Sequence, residues 1–129
     1  MLVDSSVWID FFNGRSTRQT GLLDARLGAT QLLTGDLIVA EVLQGFRYER
    51  DFERARRFFA MMTPVQIGGM PIALKAAENF RHLRSRGVTV RKTIDCLIAT
   101  RCIVDDLPLL YSDRDFDPFV EHLGLHAVA

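Results

Sequence analysis

The sequence predicts an α/β domain built on a short, mostly parallel sheet, and three observations predict it. Short apolar segments recur along the chain, at "MLV", "TQLL" (30–33), "VQI" (65–67) and "LPLLY" (107–111). Longer stretches with helical periodicity separate them. Glycine and proline mark the boundaries between the two. Strands that alternate with helices pair parallel rather than as hairpins, with both sheet faces covered. Right-handed crossovers then place helices on both faces.

Each element has a local reason. Residues 1–4 read as a short buried strand, and residues 5–13 as a helix ended by Gly14. "STRQTGLLDARLG" reads as a second helix, with Ser16 or Thr17 as N-cap and Gly28 just past its end. After the strand at 30–33, Asp36 caps a helix that runs to about Gly45. "YERDFERARRFFAMM" forms another, stopped near Pro64 because a residue before proline is pushed out of the helical region. The strand at 65–67 follows. Pro71 suits the first turn of a helix whose apolar stripe is Ile72, Ala76, Phe80 and Leu83, and Gly87 closes it. Thr93 caps a helix to about Asp105, and strands follow at 107–111 and 125–128.

The composition sets the class. A chain of 129 residues suits a single domain, 1–129, and can bury roughly two thirds of its surface. Apolar residues make up 48% and charged residues 25%, which excludes a disordered chain. No apolar run approaches the roughly 20 residues of a membrane helix. Asp4 stands where a secretory signal would carry basic residues, so a cytoplasmic protein is expected. Cys96 and Cys102 lie six residues apart in one helix, about 240° apart around its axis, and read as small buried hydrophobes rather than a bridge or a zinc site.

Formal net charge is zero, so no global field draws nucleic acid. Locally, "RHLRSRGVTVRK" (81–92) carries five Arg or Lys residues and no acid. Arginine forks match phosphates. The same segment is also consistent with a solvated helix face.

Three acids break the amphipathic pattern. Asp4 lies between "LV" and "SSVWI", Glu41 interrupts "LIVAEVL", and Asp95 interrupts "TIDCLIA". An ionised carboxylate in a buried run is unfavourable unless it is paired or holds a metal. Asp4 has a second reading as the N-cap of the helix at Ser5. Asp95 has one as an acid favoured by a helix N-terminus. Glu41 has no basic partner one turn away in its own helix, which leaves a distant arginine or a site. The fourth group is "YSDRDFDPF", where Asp113, Asp115 and Asp117 follow an apolar strand. Ligand crevices of open α/β sheets lie beyond the carboxyl ends of the strands, which puts Asp4 and this cluster on one rim. A polar turn with Asx hydrogen bonds is the alternative, and it is the better account of Asp117 before Pro118. Gathered carboxylates repel, and a hard divalent cation such as Mg²⁺ relieves this. Such an ion can supply hydroxide and neutralise a phosphodiester. An acidic site beside an arginine-rich segment therefore points to metal-dependent phosphoryl transfer on nucleic acid.

With these residues assembled, the chain resembles the PIN-domain nucleases, in particular the VapC-type toxins. The resemblance runs nearly end to end. It is carried by "MLVDSSVWIDFF", "VAEVLQGF", "TVRKTIDCLIA" and "LLYSDRDFDPF", in that order. It implies a three-layer α/β/α sandwich and an Mg²⁺- or Mn²⁺-dependent endoribonuclease. The family's acidic quartet falls on Asp4, Glu41, Asp95 and Asp113, with Asp115 as a further metal ligand. Asp4 and Asp95 would hold the metal, and Glu41 and Asp113 would complete the site and orient the attacking water. Ser6 would hold a metal water or a phosphate, and Arg91 and Lys92 would clamp the RNA backbone. Implied partners are a structured RNA such as tRNA, a cognate VapB-like antitoxin and a second copy of the chain. Trp8, Phe11, Phe12, Phe46, Phe58 and Phe59 are candidate apolar docking residues, with core packing the favoured reading for most of them.

Competing readings fit less well. A haloacid-dehalogenase-type site wants Asp-x-Asp at the first strand, where this chain has Asp4, Ser5 and Ser6. A receiver domain wants a late strand-end lysine, and the only lysines are Lys75 and Lys92. A non-catalytic RNA- or protein-binding module would not need the complete acidic set.

Overall fold

Four strands of two or three residues form the sheet of the computed structural model, which describes residues 1–29 and 31–128. They are β1 (Leu2–Val3), β2 (Leu33–Gly35), β3 (Thr63–Val65) and β4 (Leu109–Leu110). Their order is β3-β2-β1-β4, and every pair is parallel, with Leu2 opposite both Leu33 and Leu109. Leu2, Val3, Leu109 and Leu110 are fully buried, as central parallel strands require.

Seven α-helices surround the sheet: α1 (Ser5–Phe12), α2 (Arg18–Arg26), α3 (Asp36–Gln44), α4 (Glu49–Ala60), α5 (Met70–Ser85), α6 (Thr93–Val104) and α7 (Asp117–Leu123). α1 packs on α2 and α3, and α3 on α4; α5 packs on α6 and α7. The chain steps outward from β1 to β2 to β3 and then returns to place β4 on the other side of β1. With right-handed crossovers this reversal puts the two helix groups on opposite faces. The architecture is the expected α/β/α sandwich, and its topological switch point lies between β1 and β4.

Local chemistry explains most boundaries. Thr17 caps α2 in a reciprocal box with Thr20, 3.0 Å from the Thr20 N–H. Gly87 ends α5 with φ +80°, where the Val88 N–H reaches Leu83 O at 2.9 Å and the Gly87 N–H reaches Arg84 O at 3.0 Å, a Schellman motif.

Several expectations are corrected. β2 lies at 33–35 rather than 30–33, and Thr30 of the expected strand is outside the described residues. β3 lies at 63–65 rather than 65–67. Pro64 is tolerated within it because β3 is an edge strand. Residues 125–128 contribute only an isolated parallel bridge, Leu109 to Ala127, which covers the free edge of β4. In α5 the third buried position is Asn79, not Phe80, because its amide donates to Thr100 Oγ1 at 3.0 Å. Thr93 and Asp36 are the first residues of their helices, and Lys92 and Gly35 occupy the N-cap positions.

Asp36 instead clamps the start of α3. Its Oδ1 accepts from the N–H groups of Leu37 and Ile67, both at 2.8 Å. Gly35 is packed so closely that a Cβ there would stand 2.6 Å from Ile67 Cγ1. The first two residues of this turn therefore lock the β2–α3 junction to the segment after β3.

Candidate active site

The carboxyl ends of β1 and β4 open at the switch point, and the acids predicted from the sequence collect there. Asp4 directly follows β1 and is 2% exposed. Its Oδ2 accepts from the Ser6 N–H at 3.1 Å and the Ser6 hydroxyl at 2.6 Å, so it is the N-cap of α1. Its Oδ1 is buried without a hydrogen-bond partner. The capping and site readings of Asp4 are compatible, since each uses a different oxygen.

Asp95 sits in the first turn of α6, is 6% exposed, and also has one buried oxygen, Oδ2, without a partner. Glu41 lies on α3 and accepts from the Ser5 hydroxyl at 3.2 Å. Among the described residues it has no arginine partner, so the distant ion pair considered for it does not form. Asp113 precedes a single 3-10 turn (Arg114–Phe116), and its Oδ1 accepts from the Asp115 N–H at 2.9 Å. Asp95, Asp113 and Asp115 bring three carboxylate oxygens within 4.8 Å of one another. Asp4 and Glu41 stand outside that tight group; Asp4 feels the charge of Asp113, Glu41 that of Asp4, and both act on Asp95.

The electrostatics follow from the packing. Burial pushes Asp95 up to about 7, reinforced by the Asp4 charge and opposed by Lys92. Burial raises Asp4 against the two Ser6 hydrogen bonds. Glu41 is raised by burial and then by Asp4. Asp113 is the exception: burial works to raise it, but the Asp115 N–H and the Lys92 ammonium outweigh this and hold it below the usual range. Three acids are thus pressed towards the neutral form, as happens when carboxylates are gathered without a resident cation. An all-oxygen set with two unpartnered oxygens fits a hard divalent ion.

Ser6, Arg91 and Lys92 each have partners within the site. The Ser6 hydroxyl donates to Asp4 and accepts from the Ser112 N–H at 3.3 Å, so it ties the end of β1 to the end of β4. Arg91 bridges Asp115 at 2.9 Å and Lys92 bridges Asp113 at 3.1 Å. Asp117 does not form an Asx turn. It is the first residue of α7 and accepts from the Tyr111 hydroxyl at 2.8 Å. Pro118, in the first turn, was the sequence signal for that helix. Two positions escaped the sequence reading, Ser5 beside Glu41 and Ser112 beside Ser6. Ser5 adjoins Asp4, and that was the available signal.

Fold and site together define an α/β/α protein with an acidic crevice at its switch point. The PIN domain family model matches residues 1–120, and the chain belongs to that family. Ribonuclease VapC11 of Mycobacterium tuberculosis is 26% identical over 133 aligned residues, covering 100% of this chain and 98% of that protein. A VapC ribonuclease of Mycobacterium bovis matches to the same extent. Among solved structures, VapBC2 of Rickettsia felis, bound to a DNA fragment from its promoter, gives a TM-score of 0.75 at 14% identity, covering 98% of this chain and 96% of that one. A toxin–antitoxin complex from Klebsiella pneumoniae gives 0.72 at 18% identity, covering 98% of each chain. At these identities the structural likeness establishes the fold. Among the described residues no helix is long and apolar enough to cross a membrane.

Proposed function

We propose that this chain is a VapC-type toxin: a cytoplasmic, Mg²⁺- or Mn²⁺-dependent endoribonuclease that cuts a structured RNA such as tRNA and is neutralised by a VapB-like antitoxin. The observation that carries this reading is the pair of buried, unpartnered oxygens, Asp4 Oδ1 and Asp95 Oδ2, within a set of mutually repelling carboxylates. The ribonuclease names of relatives aligned along the whole chain support it.

The residues divide the work. Asp4 and Asp95 would hold the cation through their free oxygens, with Asp113 and Asp115 beside them. The bound ion lowers the pKa of water and neutralises phosphodiester charge. Glu41, held by Ser5, would orient the attacking water and take its proton. Ser6 holds Asp4 through Oδ2 alone, which leaves Oδ1 free for a ligand. Arg91 and Lys92 contact the RNA backbone from the exposed side. In-line attack leaves a 5′-phosphate and a 3′-hydroxyl. A homodimer is the proposed assembly. Trp8 and Phe59 are buried in the core, and the partly buried Phe11, Phe12, Phe46 and Phe58 pack against that core.

The test is cleavage of total tRNA by the purified protein with Mg²⁺ or Mn²⁺, beside Asp95→Asn and an EDTA-treated sample. Discrete fragments from the wild type alone are expected. Equal fragmentation by Asp95→Asn would remove the catalytic assignment and favour a binding module.

A further inference from the structure

Lys92 and Arg91 were expected to face an RNA backbone, yet both are engaged by acids of the site. Their side chains are 59% and 76% exposed, whereas Asp113 and Asp115 are 27% and 23% exposed. The bases therefore reach in from solvent, from the loop that leads into α6. The acids stand on the 3-10 turn beyond β4. Asp113 and Asp115 also belong to the tight three-carboxylate group with Asp95. The same two acids thus serve two alternative cations, a pair of side chains or a divalent ion. Solvent-exposed pairs of this kind are weak and exchange readily. Beside them lies a cavity of about 110 Å³ lined by Val90, Arg91, Lys92, Asp95, Arg114 and Asp115, with room for a few waters or a phosphate group. A base released from its acid remains on this rim, next to that cavity, with its charge free.

We infer that Lys92 and Arg91 are exchangeable counter-ions that couple cation binding to phosphate binding. They neutralise Asp113 and Asp115 while no divalent ion is held, and they turn to a phosphate when one is. A divalent ion repels the two bases from the acids, and a phosphate draws them away. Each ligand therefore favours the other, and by linkage the effect is reciprocal. RNA then binds the metal-loaded chain more tightly than the metal-free one, and the metal binds the RNA-bound chain more tightly than the free one. The inference rests on the cation-dependent reading above.

The test is a Mn²⁺ titration of the full chain, followed by the electron paramagnetic resonance signal of the free ion, with inorganic sulfate as the phosphate probe. Sulfate and chloride buffers are matched in ionic strength. For the wild type, sulfate should tighten Mn²⁺ binding about fivefold, the low end of measured couplings. Lys92→Met and Arg91→Met should each bind Mn²⁺ more tightly than the wild type in chloride and lose most of the sulfate effect. Lys92→Arg should keep it. A full sulfate effect in Lys92→Met, or weaker Mn²⁺ binding by that variant in chloride, would overturn the inference alone. Mn²⁺ binding by Asp95→Asn equal to the wild type would remove the acidic site itself, and both readings with it.

Discussion

The two ends of α1 obey opposite rules. Its first turn joins Asp4, Ser5 and Ser6 to a crevice of crowded acids, two of which have buried oxygens without partners. Its last turns carry Trp8, Phe11 and Phe12 into an aromatic cluster with Phe46, Phe58 and Phe59. There Trp8 stacks on Phe12 at 5.8 Å and meets Phe59 edge-on at 5.2 Å. One end is closely packed and stabilises the fold, with Trp8 Nε1 its single buried polar atom left without a partner among the described residues. The other is electrostatically strained and poised for a ligand. Phe12, the last ring, is eight positions after Asp4, the first carboxylate, so the stable end holds the strained one in place.

The sharpest way to break the contrast is to remove one unpartnered oxygen. Asp4→Asn keeps the helix cap, because asparagine caps as well as aspartate, but removes the charge. Cleavage should fall by about a thousandfold or more, matching several kcal/mol of lost charge stabilisation, with the melting temperature kept or raised. A fragmentation assay beside a thermal melt checks both halves. Trp8→Ala attacks the other end. It should destabilise the protein by about 3–5 kcal/mol, measured by urea denaturation, and lose cleavage only through unfolding.

A pH series sharpens the same comparison. The folded Asp95 holds its proton up to about 7, while the unfolded chain releases it near the ordinary carboxylate value of 3.8. Between those values folding takes up a proton, so stability of the metal-free protein falls as pH rises through this window. Asp4 and Glu41 are shifted in the same direction and add to the slope; Asp113 is shifted in the opposite direction. Asp95→Asn should melt about 5 °C above the wild type at pH 8 without divalent ions, and level with it at pH 4. Millimolar Mg²⁺ or Mn²⁺ should raise the wild-type melting temperature and leave Asp95→Asn unmoved. The smallest expected effect is Ser6→Ala. It removes one hydrogen bond to Asp4 and one acceptor for Ser112, which should reduce cleavage about tenfold and stability by about 1 kcal/mol.

Much of this was legible in the residues. Asp4, Glu41 and Asp95 were visible because each interrupts a run that packing must bury. The helix and strand alternation was visible because its two periods differ. What escaped was set by tertiary partners. Asn79 looks like a surface residue until Thr100 faces it. β3 looks interrupted at Pro64 until its place at the sheet edge is known. The partners of Ser6, Arg91 and Lys92 escaped too, because only the folded chain brings Ser112, Asp115 and Asp113 against them.

The Gly35–Asp36 junction has a consequence for length. Glu41 lies five residues after Asp36, so its direction is set by helical phase counted from that clamp. One inserted residue between them would swing the carboxylate about 100° around the axis. Chain added before β2 or before β4, on the opposite rim, leaves that phase untouched. An extra alanine placed after Asp36 should therefore abolish cleavage and also destabilise the protein, since the buried Ile38 and Val42 turn with Glu41, whereas one placed between Asp105 and Leu107 should disturb cleavage less. Changes in length should therefore weigh more on the rim that carries Glu41 than on the rim that leads into β4.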